Sequence, residues 1–303
     1  MQYFKGGDFR NRYKIVGTLT TLSPLHIGDG GTGSDQSRFP QDEQNSDAET
    51  PQYTTVATDA DGRAYIPGSS LKGCVRNWLS QIFSDMADLS PLNTPQRAVE
   101  LQKFAEEINH DKELIRKKLQ MTEALFGTGL NAGKLEFWDA AMQAPPPLPQ
   151  GRSALAYCGY DAGRGTLVLK STAIDPKTGA AAKNKLYNYE VVPKGAVFEI
   201  TVCGQNLEDD ELGMLFFALD GFDSFIYPIT LGAMGGIGYG RFHFQSEKIC
   251  YLDQRNFQQW MTEAVKTGHA GYRALPQLPE SDRQDRMNRF KDNFLPLISK
   301  EAV

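Results

Sequence analysis

The sequence predicts an α+β fold with an antiparallel sheet of ferredoxin-like type. Three observations lead to this prediction. Strand-like segments alternate with two amphipathic helical segments, so that the chain reads β, loop, β, α, β and then β, β, α, β. Turn-rich stretches beside the strand segments are typical of hairpins. A hydrophobic content of 40% over 303 residues is sufficient for a packed core.

The first strand is predicted at residues 12–27, where Tyr13, Ile15, Leu19 and Leu22 alternate with polar neighbours. Residues 28–54 that follow are rich in Gly, Ser, Asp and Gln and nearly lack aliphatic side chains. That composition predicts a long mobile loop, inserted into the fold.

A hairpin and a helix are predicted next. The stretch "TTVATDADGRAYI" indicates a short strand, a turn at residues 59–62 and a return strand that ends at Ile66. An α-helix is then predicted to start near Ser69. Its apolar stripe consists of Leu71, Val75, Trp78, Leu79 and Ile82. This stripe is expected to seat the helix on the sheet.

The second half of the chain continues the alternation. In chain order, the sequence predicts helices at 95–125, a strand at 133–142, a polyproline spacer at 144–151, a strand at 166–175, a loop at 176–185, a strand or hairpin at 186–204, an amphipathic helix at 210–222 and a glycine-rich loop before a last strand. The expected organisation is one domain over residues 1–250, with insertions at 28–54 and 85–123. A helical extension is expected at 251–303, and residues 281–298 are its clearest amphipathic part.

Composition limits the class of protein. No run approaches the roughly 20 apolar residues of a membrane helix, and the start "MQYFKGGDFRNRYK" lacks the apolar core of a signal peptide. A cytoplasmic protein without membrane contact is expected. The formal net charge is −5, from 37 acidic and 32 basic residues, which argues against a protein that holds nucleic acid alone by bulk electrostatics. Many of the acids lie between Asp29 and Asp61, so a local basic surface is still allowed.

The cysteines and histidines do not predict a metal site. They are Cys74, Cys158, Cys203 and Cys250, and His26, His110, His243 and His269. None of them forms the paired spacing of a zinc site, and the cysteines are expected to be core thiols rather than disulfide partners.

Two glycine patterns resemble nucleotide-binding motifs without their context. Gly28, Gly30 and Gly33 satisfy GxGxxG, but a polar acidic loop follows instead of the helix that faces a pyrophosphate. The stretch "GTGLNAGKL" is similar to a P-loop, but Thr128 stands in the register of the first glycine and Leu135 replaces the magnesium-binding Ser or Thr. Neither pattern predicts a nucleotide site.

The stretch "YIPGSSLKGCVRNWL" at the helix start allows three interpretations. Ser69 and Lys72 form an SxxK, which with "KTG" at 177–179 suggests a serine acyl-enzyme, although KTG recurs at 266–268 and no SDN is present. The second interpretation is a phosphate site, in which Ser69, Ser70, Lys72 and Arg76 join the positive end of the helix dipole. The third is a capped helix with two solvated bases. These residues alone leave the last two open.

A second glycine cluster favours the phosphate site. "LGAMGGIGYGRF" contains Gly232, Gly235, Gly236, Gly238 and Gly240, followed by Arg241. Glycines at this density allow a backbone to lie against a flat or charged partner.

Four stretches in order, "LSPLHIGDG", "AYIPGSSLKGCVR", "LFGTG…GKLEFWDA" and "GGIGYGRFHF", resemble the RAMP (repeat-associated mysterious protein) superfamily. More narrowly, they are similar to the repeating backbone subunits of type III CRISPR effector complexes, over about residues 12–245. The resemblance implies an RRM-like, ferredoxin-type core that binds CRISPR guide RNA through its backbone and stacks beside sibling RAMP subunits and other proteins of the complex. Recognition of the target RNA is then left to base pairing.

The resemblance also implies roles for particular residues. The guide-RNA contacts it implies are His26, Ser69, Ser70, Lys72, Arg76, Gly235, Gly236, Gly238, Tyr239, Gly240 and Arg241. Because the chain is acidic overall, we expect the isolated protein to bind RNA weakly and to gain affinity from its neighbours in the complex.

In active relatives an aspartate between the first strand and the IPGSS hairpin cleaves the target RNA, by attack of the ribose 2′-hydroxyl on the neighbouring phosphate, with Mg²⁺ or another divalent ion assisting. This sequence has "PQYTT" around Tyr53 in that register, without an acid. Asp47 is the best candidate for the catalytic residue, with Glu49, Asp42 and Asp35 further alternatives. A structural subunit without catalysis is the other expectation.

Overall fold

A computed structural model describes residues 9–39, 51–83, 95–148, 157, 159–174, 177 and 181–298. In these residues the strands are β1 (Asn11–Thr21), β2 (Gly28–Gly33), β3 (Tyr53–Val56), β4 (Tyr65–Ile66), β5 (Leu135–Phe137), β6 (Ala140–Ala144), β7 (Leu167–Ile174), β8 (Ala181–Val191), β9 (Val197–Gln205) and β10 (Phe242–Asp253). The helices are α1 (Gly68–Ile82), α2 (Pro95–Glu107), α3 (Lys112–Lys118), α4 (Met121–Phe126), α5 (Asp209–Asp220), α6 (Phe257–Thr267), α7 (His269–Arg273) and α8 (Glu280–Ile298).

The larger sheet has the strand order β10–β1–β9–β6–β4, and β5 also pairs with β9. Each of these pairs is antiparallel. β1 lies in the interior of the sheet, where Leu19 is opposite Phe244 on one side and Phe198 on the other. All three side chains are buried. The predicted α+β class is therefore confirmed.

A second sheet, of order β2–β3–β8–β7, corrects the prediction of a mobile loop at residues 28–54 where the chain is described, at 28–39 and 51–54, while residues 40–50 of that loop lie outside the described residues. β2 pairs antiparallel with β3, and a 3₁₀ turn follows at Gln36–Arg38. β8 begins at Ala181, so that part of the loop predicted at 176–185 is also strand. Composition missed β2 because a glycine strand pairs through its backbone and needs no apolar side chains.

The turn predicted at residues 59–62 is confirmed, and the hairpin around it is shortened to one antiparallel bridge between Thr58 and Ala64. The Asp59 carboxylate accepts hydrogen bonds from the backbone N–H groups of Asp61 and Arg63. Within the described residues, this isolated bridge is the only pairing between the segments that flank the turn. The strand before it, β3, belongs to the second sheet, and the strand after it, β4, belongs to the larger sheet. β8 and β9 divide between the sheets in the same way, so residues 186–204 form two strands and no hairpin.

The predicted apolar stripe of α1 is confirmed. Leu71, Val75 and Leu79 are fully buried, and the Trp78 ring packs against Phe217 of α5 with centroids 5.5 Å apart. The helices α2 to α4 occupy the segment that was predicted to be helical.

The C-terminal helix α8 is part of the core. Phe294 packs edge-on against Phe83 with ring centroids 4.6 Å apart, and Phe290 packs against Phe217 at 5.8 Å. A Cβ atom on Gly213 of α5 would lie 2.2 Å from the carbonyl oxygen of Arg286, so the two helix backbones are in close contact. In the described part of the chain, no helix has the length and apolarity needed to cross a membrane.

The Glu190 carboxylate connects the second sheet to the loops around it. It is fully buried and accepts hydrogen bonds from Arg164 (2.8 and 2.9 Å), the Thr166 hydroxyl (2.5 Å), the backbone N–H of Val56 (3.0 Å) and Arg38 (3.3 Å). Burial alone would raise the pKa of Glu190, but the hydrogen bonds from Arg164, Thr166 and Val56 hold it below its ordinary value. We call these five residues the Glu190 cluster.

Replacing Glu190 by Gln should lower the free energy of unfolding by about 3–5 kcal/mol, because Arg164 loses its buried countercharge and Arg38 keeps, among the described acids, only the longer contact with Asp161, at 3.5 Å. Urea unfolding at neutral pH measures this loss. The matched control is Glu199→Gln, which removes an exposed carboxylate from β9 and should change stability by less than about 0.5 kcal/mol. Equal losses in the two variants would contradict a special role for the cluster.

Comparing wild type with Glu190→Gln over a range of pH tests whether the charge of Glu190 is what stabilises the fold. Because the folded-state pKa is lowered, the stabilisation is present above the ordinary value of 4.5 and is lost as the pH falls through the folded-state pKa. The difference between wild type and Glu190→Gln should therefore be largest above pH 4.5 and shrink below it.

Candidate nucleic-acid interface

The loop after β1 and the glycine-rich loop before β10 form one unit. The Leu22 N–H donates to the Arg241 carbonyl, the Gly240 N–H to the Pro24 carbonyl and the Ala233 N–H to the His26 carbonyl, each at 2.8 Å. These bonds join two of the stretches on which the sequence comparison rests, although they are far apart in the chain. The first and last motifs are therefore assembled at one end of the larger sheet.

His26 is buried at the base of this unit, with 6% of its surface exposed. Its Nδ1 lies 2.6 Å from the Glu190 carbonyl oxygen. Since a carbonyl only accepts hydrogen bonds, Nδ1 carries a proton and donates it. The ring also packs edge-on against Tyr189, with centroids 6.2 Å apart. The structure thus gives His26 a supporting position, while its predicted RNA contact stays a prediction.

Four of the five glycines of the glycine-rich loop form two contrasting pairs, while Gly238 has a φ of +87° and open space around it. Gly232 and Gly240 have φ angles of +80° and +72°, and a Cβ on either would lie 2.3 and 1.9 Å from the carbonyl oxygens of His26 and Leu231. Gly235 and Gly236, in a 3₁₀ turn, are exposed, and a Cβ on Gly236 would meet nothing within 4 Å. The first pair holds the loop in place, and the second pair presents bare backbone to solvent.

Tyr239 and Arg241 lie at the end of this loop. The Tyr239 ring packs edge-on against Tyr189 with centroids 6.2 Å apart. Burial, together with a hydrogen bond to Tyr189, raises the pKa of Tyr239 to about 12, so it is neutral at physiological pH. The Arg241 side chain is exposed, while its backbone N–H donates to the Ser23 hydroxyl at 3.0 Å. Arg241 thus presents an accessible cation from a fixed backbone.

The start of α1 shows that neither Ser69 nor Ser70 caps the helix. Pro67 is the N-cap residue and makes no side-chain capping bond, and the helix begins at Gly68. The Asp139 carboxylate accepts the Gly68 N–H at 2.7 Å, which places a negative charge at the positive end of the helix. Ser69 is exposed and Ser70 is half-buried on the first turn.

Lys72 and Arg76 share one side of α1, and both are half-buried. The Lys72 ammonium donates to the Leu135 carbonyl of β5 at 3.1 Å. Burial and the neighbouring Arg76 charge lower the pKa of Lys72, and burial lowers the pKa of Arg76 against the opposing charge of Glu123. Lys72 therefore faces β5, and Arg76, one turn further along the same side, lies within the field of Glu123 of α4.

The surface between these bases and the glycine-rich loop contains residues that the sequence analysis missed. Ser69, Gly73 and Asn77 are exposed at spacings of four, and we call them the α1 arc. On the far side of the arc, a groove of about 100 Å³ separates α1 from residues 227–230. Thr230 of this groove lies close to the glycine-rich loop, since its hydroxyl would be 3.4 Å from a Cβ on Gly235. The spacing from Ser69 was the signal available in the sequence.

The catalytic candidate Asp47 lies outside the described residues, as do Asp42 and Glu49. Asp35 is described, and its carboxylate accepts the N–H and hydroxyl of Ser37. The Asp29 carboxylate accepts the Thr55 hydroxyl at 2.6 Å, which with the Gly31 N–H lowers its pKa. Among the described residues, no three His, Cys, Asp or Glu side chains converge as a metal site requires.

Comparison with protein families matches residues 18–243 to the RAMP superfamily. Since the match covers most of the chain, the protein belongs to this superfamily. No curated protein sequence matches it. Membership supports a CRISPR-associated, RNA-binding function in general, with RNA and other proteins of a CRISPR complex as partners.

Gly240→Ala should destabilise the protein by more than about 1 kcal/mol, because a left-handed backbone and a Leu231 oxygen 1.9 Å away both oppose a Cβ. Gly236→Ala is the control, since open space surrounds that position, and should change stability by less than about 0.5 kcal/mol. Thermal unfolding of both variants compares them. Similar melting temperatures for the two would show that the loop is not held as described.

Proposed function

We propose that this protein is a guide-RNA-binding backbone subunit of a type III CRISPR effector complex, built on an RRM-like, ferredoxin-type core. The strand order β10–β1–β9–β6 supports the core assignment, because the six elements β1, α1, β6, β9, α5 and β10 follow the order β, α, β, β, α, β. The family match supports RNA binding, and the complete order of the four sequence stretches supports the narrower subunit class.

The observation that carries the proposal is the position of the α1 arc. On one side of the arc are the two bases Lys72 and Arg76. On its other side is the exposed backbone of Gly235 and Gly236. Such a strip has few side chains and accessible hydrogen-bond donors. It therefore suits a sugar–phosphate backbone, which is recognised by shape and charge, while the bases stay available for pairing with target RNA.

The Asp139 carboxylate limits how phosphates approach α1. It already accepts the first N–H of the helix and repels anions there. Guide phosphates would then contact the α1 arc along its length, beside Ser69, rather than the helix end itself. Repulsion by Asp139 and a net charge of −5 are consistent with weak binding by the isolated chain, and with the expected dependence on sibling subunits in the cytoplasm.

Target cleavage is the second part of the proposal, and Asp47 is its candidate residue. Mg²⁺ commonly binds through one or two carboxylates together with substrate phosphates, so a single carboxylate would be a sufficient donor from the protein. The ion would neutralise charge on the scissile phosphate during attack by the 2′-hydroxyl. The role of the chain would be to hold the RNA backbone along α1 and to direct Asp47 to it. A structural subunit without catalysis is the alternative.

The serine acyl-enzyme alternative has less support. It requires the Lys72 ammonium to activate the Ser69 hydroxyl. The ammonium instead donates to the Leu135 carbonyl, and within the described residues it makes no hydrogen bond to Ser69.

Glycine-to-glutamate substitutions test the RNA path. Gly73→Glu and Gly236→Glu add a carboxylate at exposed positions with open space. Each should weaken binding of single-stranded RNA about fivefold or more at low salt. The reason is that a carboxylate about 4 Å from a phosphate in water repels it by about 1 kcal/mol. Fluorescence anisotropy with a labelled oligonucleotide measures the affinity.

Gly129→Glu is the matched control. Gly129 is also exposed with open space, but its loop borders Gln205, at the opposite end of β9 from the glycine-rich loop. Its substitution should leave RNA affinity within about twofold of wild type. An equal loss for all three variants would mean that only net charge matters, and the proposed path would be wrong.

Asp47→Ala in the assembled complex tests cleavage. If Asp47 is catalytic, cutting of target RNA opposite this subunit should fall by at least about 100-fold, while guide and target binding persist. Sequencing gels of the cleaved target report each position separately. Unchanged cutting at that position would remove Asp47 from the mechanism and favour the structural subunit.

A further inference from the structure

Two large apolar side chains project from the loop that follows α5. Phe225 is 97% exposed and Ile226 is 90% exposed. Single exposed apolar residues are common on protein surfaces, but two adjacent side chains of this size with almost no contacts mark an interaction site. We call residues 224–227 the Phe225 tip.

The Phe225 tip is attached to α1 through Tyr227 and closed by an internal hydrogen bond. The Trp78 indole N–H donates to the Tyr227 carbonyl at 2.8 Å, the Tyr227 hydroxyl donates to Gln81, and the Tyr227 N–H donates to the Ser224 hydroxyl at 3.2 Å. The aromatic ring is therefore presented from a fixed backbone, which reduces the entropy lost when a partner binds.

The tip borders the proposed RNA path. Trp78 and Gln81 belong to α1, and they line the groove beside the α1 arc. The chain continues from the tip through Thr230, which lies next to Gly235 of the glycine-rich loop. A strand of RNA held along α1 would therefore pass within reach of the ring.

The charges around the tip favour an uncharged, planar partner. The tip itself carries no charge, and the nearest acid in sequence, Asp223, is engaged by the His243 Nδ1 at 2.7 Å and by the Phe244 N–H at 3.0 Å. No described group of the tip selects a charged side chain of a protein partner. A nucleobase meets these conditions, because it is planar and apolar on its faces.

We propose that Phe225 is a stacking platform for one base of the bound single-stranded RNA, with Ile226 against the edge of the same base. The inference rests on the proposed RNA-binding function and adds a base contact to it. Stacking on an aromatic ring is tolerant of sequence, so it would position the strand without reading it.

Photo-crosslinking tests the contact directly in the full chain. A single-stranded oligouridine carrying 5-iodouracil should crosslink to Phe225 on irradiation, and mass spectrometry of the peptides locates the bond. Phe225→Ala should abolish this crosslink and weaken binding about tenfold, whereas Phe225→Tyr should restore both. Val265→Ala removes another apolar side chain, 81% exposed on α6, and should change neither.

The outcomes separate this inference from the proposed function. If Gly236→Glu weakens RNA binding but Phe225→Ala leaves both crosslinking and affinity unchanged, the stacking site is wrong and the RNA path stands. If Phe225→Ala alters only self-association in sedimentation experiments, the tip contacts protein and the inference is wrong. If the wild-type chain binds no RNA at low salt and takes up no guide RNA in the assembled complex, both are wrong.

Discussion

The buried carboxylate of Glu190 is the interaction on which the architecture around the candidate interface depends. A carboxylate without water is costly unless its oxygens are fully hydrogen-bonded. Here the donors come from separate segments: Arg38 before β3, Val56 within β3, and Arg164 and Thr166 before β7. The backbone carbonyl of Glu190 also accepts the His26 ring. One residue therefore joins the second sheet to the loop that carries the first family motif.

The glycine-rich loop and α1, which form the candidate interface, share one arrangement: one side is packed and the other is exposed. In the glycine-rich loop, Gly240 is fixed by close backbone contact while Gly236 is open to solvent. In α1, the apolar stripe is buried while Ser69, Gly73 and Asn77 are exposed. Each element thus separates an anchored side from a bare side with small residues. A surface of this kind lets a polymer backbone approach closely and leaves specificity to the pairing of bases.

For the candidate interface, the sequence predicted the secondary-structure elements better than the directions of their side chains. Periodicity placed Lys72 and Arg76 on one side of α1, but it does not report what packs against that side. In the structure the Lys72 ammonium donates a hydrogen bond to the Leu135 carbonyl of β5. His26 was found by its motif, yet its imidazole is buried by a contact with Glu190, which is distant in sequence. The one signal for that contact was a lone acid in the apolar strand around Tyr189 and Val191. Motifs of short range reveal local chemistry, whereas burial depends on partners elsewhere in the chain.

Local patterns in the sequence alone determined the α+β class, the buried stripe of α1 and the turn at residues 59–62. They also gave the resemblance to the RAMP superfamily, which the family match supports over residues 18–243. These features arise from side chains close in sequence, so periodicity and turn chemistry are enough to predict them. Only the tertiary structure decided that β2 is a strand, that β3 and β4 separate into different sheets, and that Asp139 caps α1. The physical reason is that strand pairing and capping here use backbone groups. Every residue but proline carries the same backbone donors and acceptors, and their partners are chosen by the three-dimensional fold.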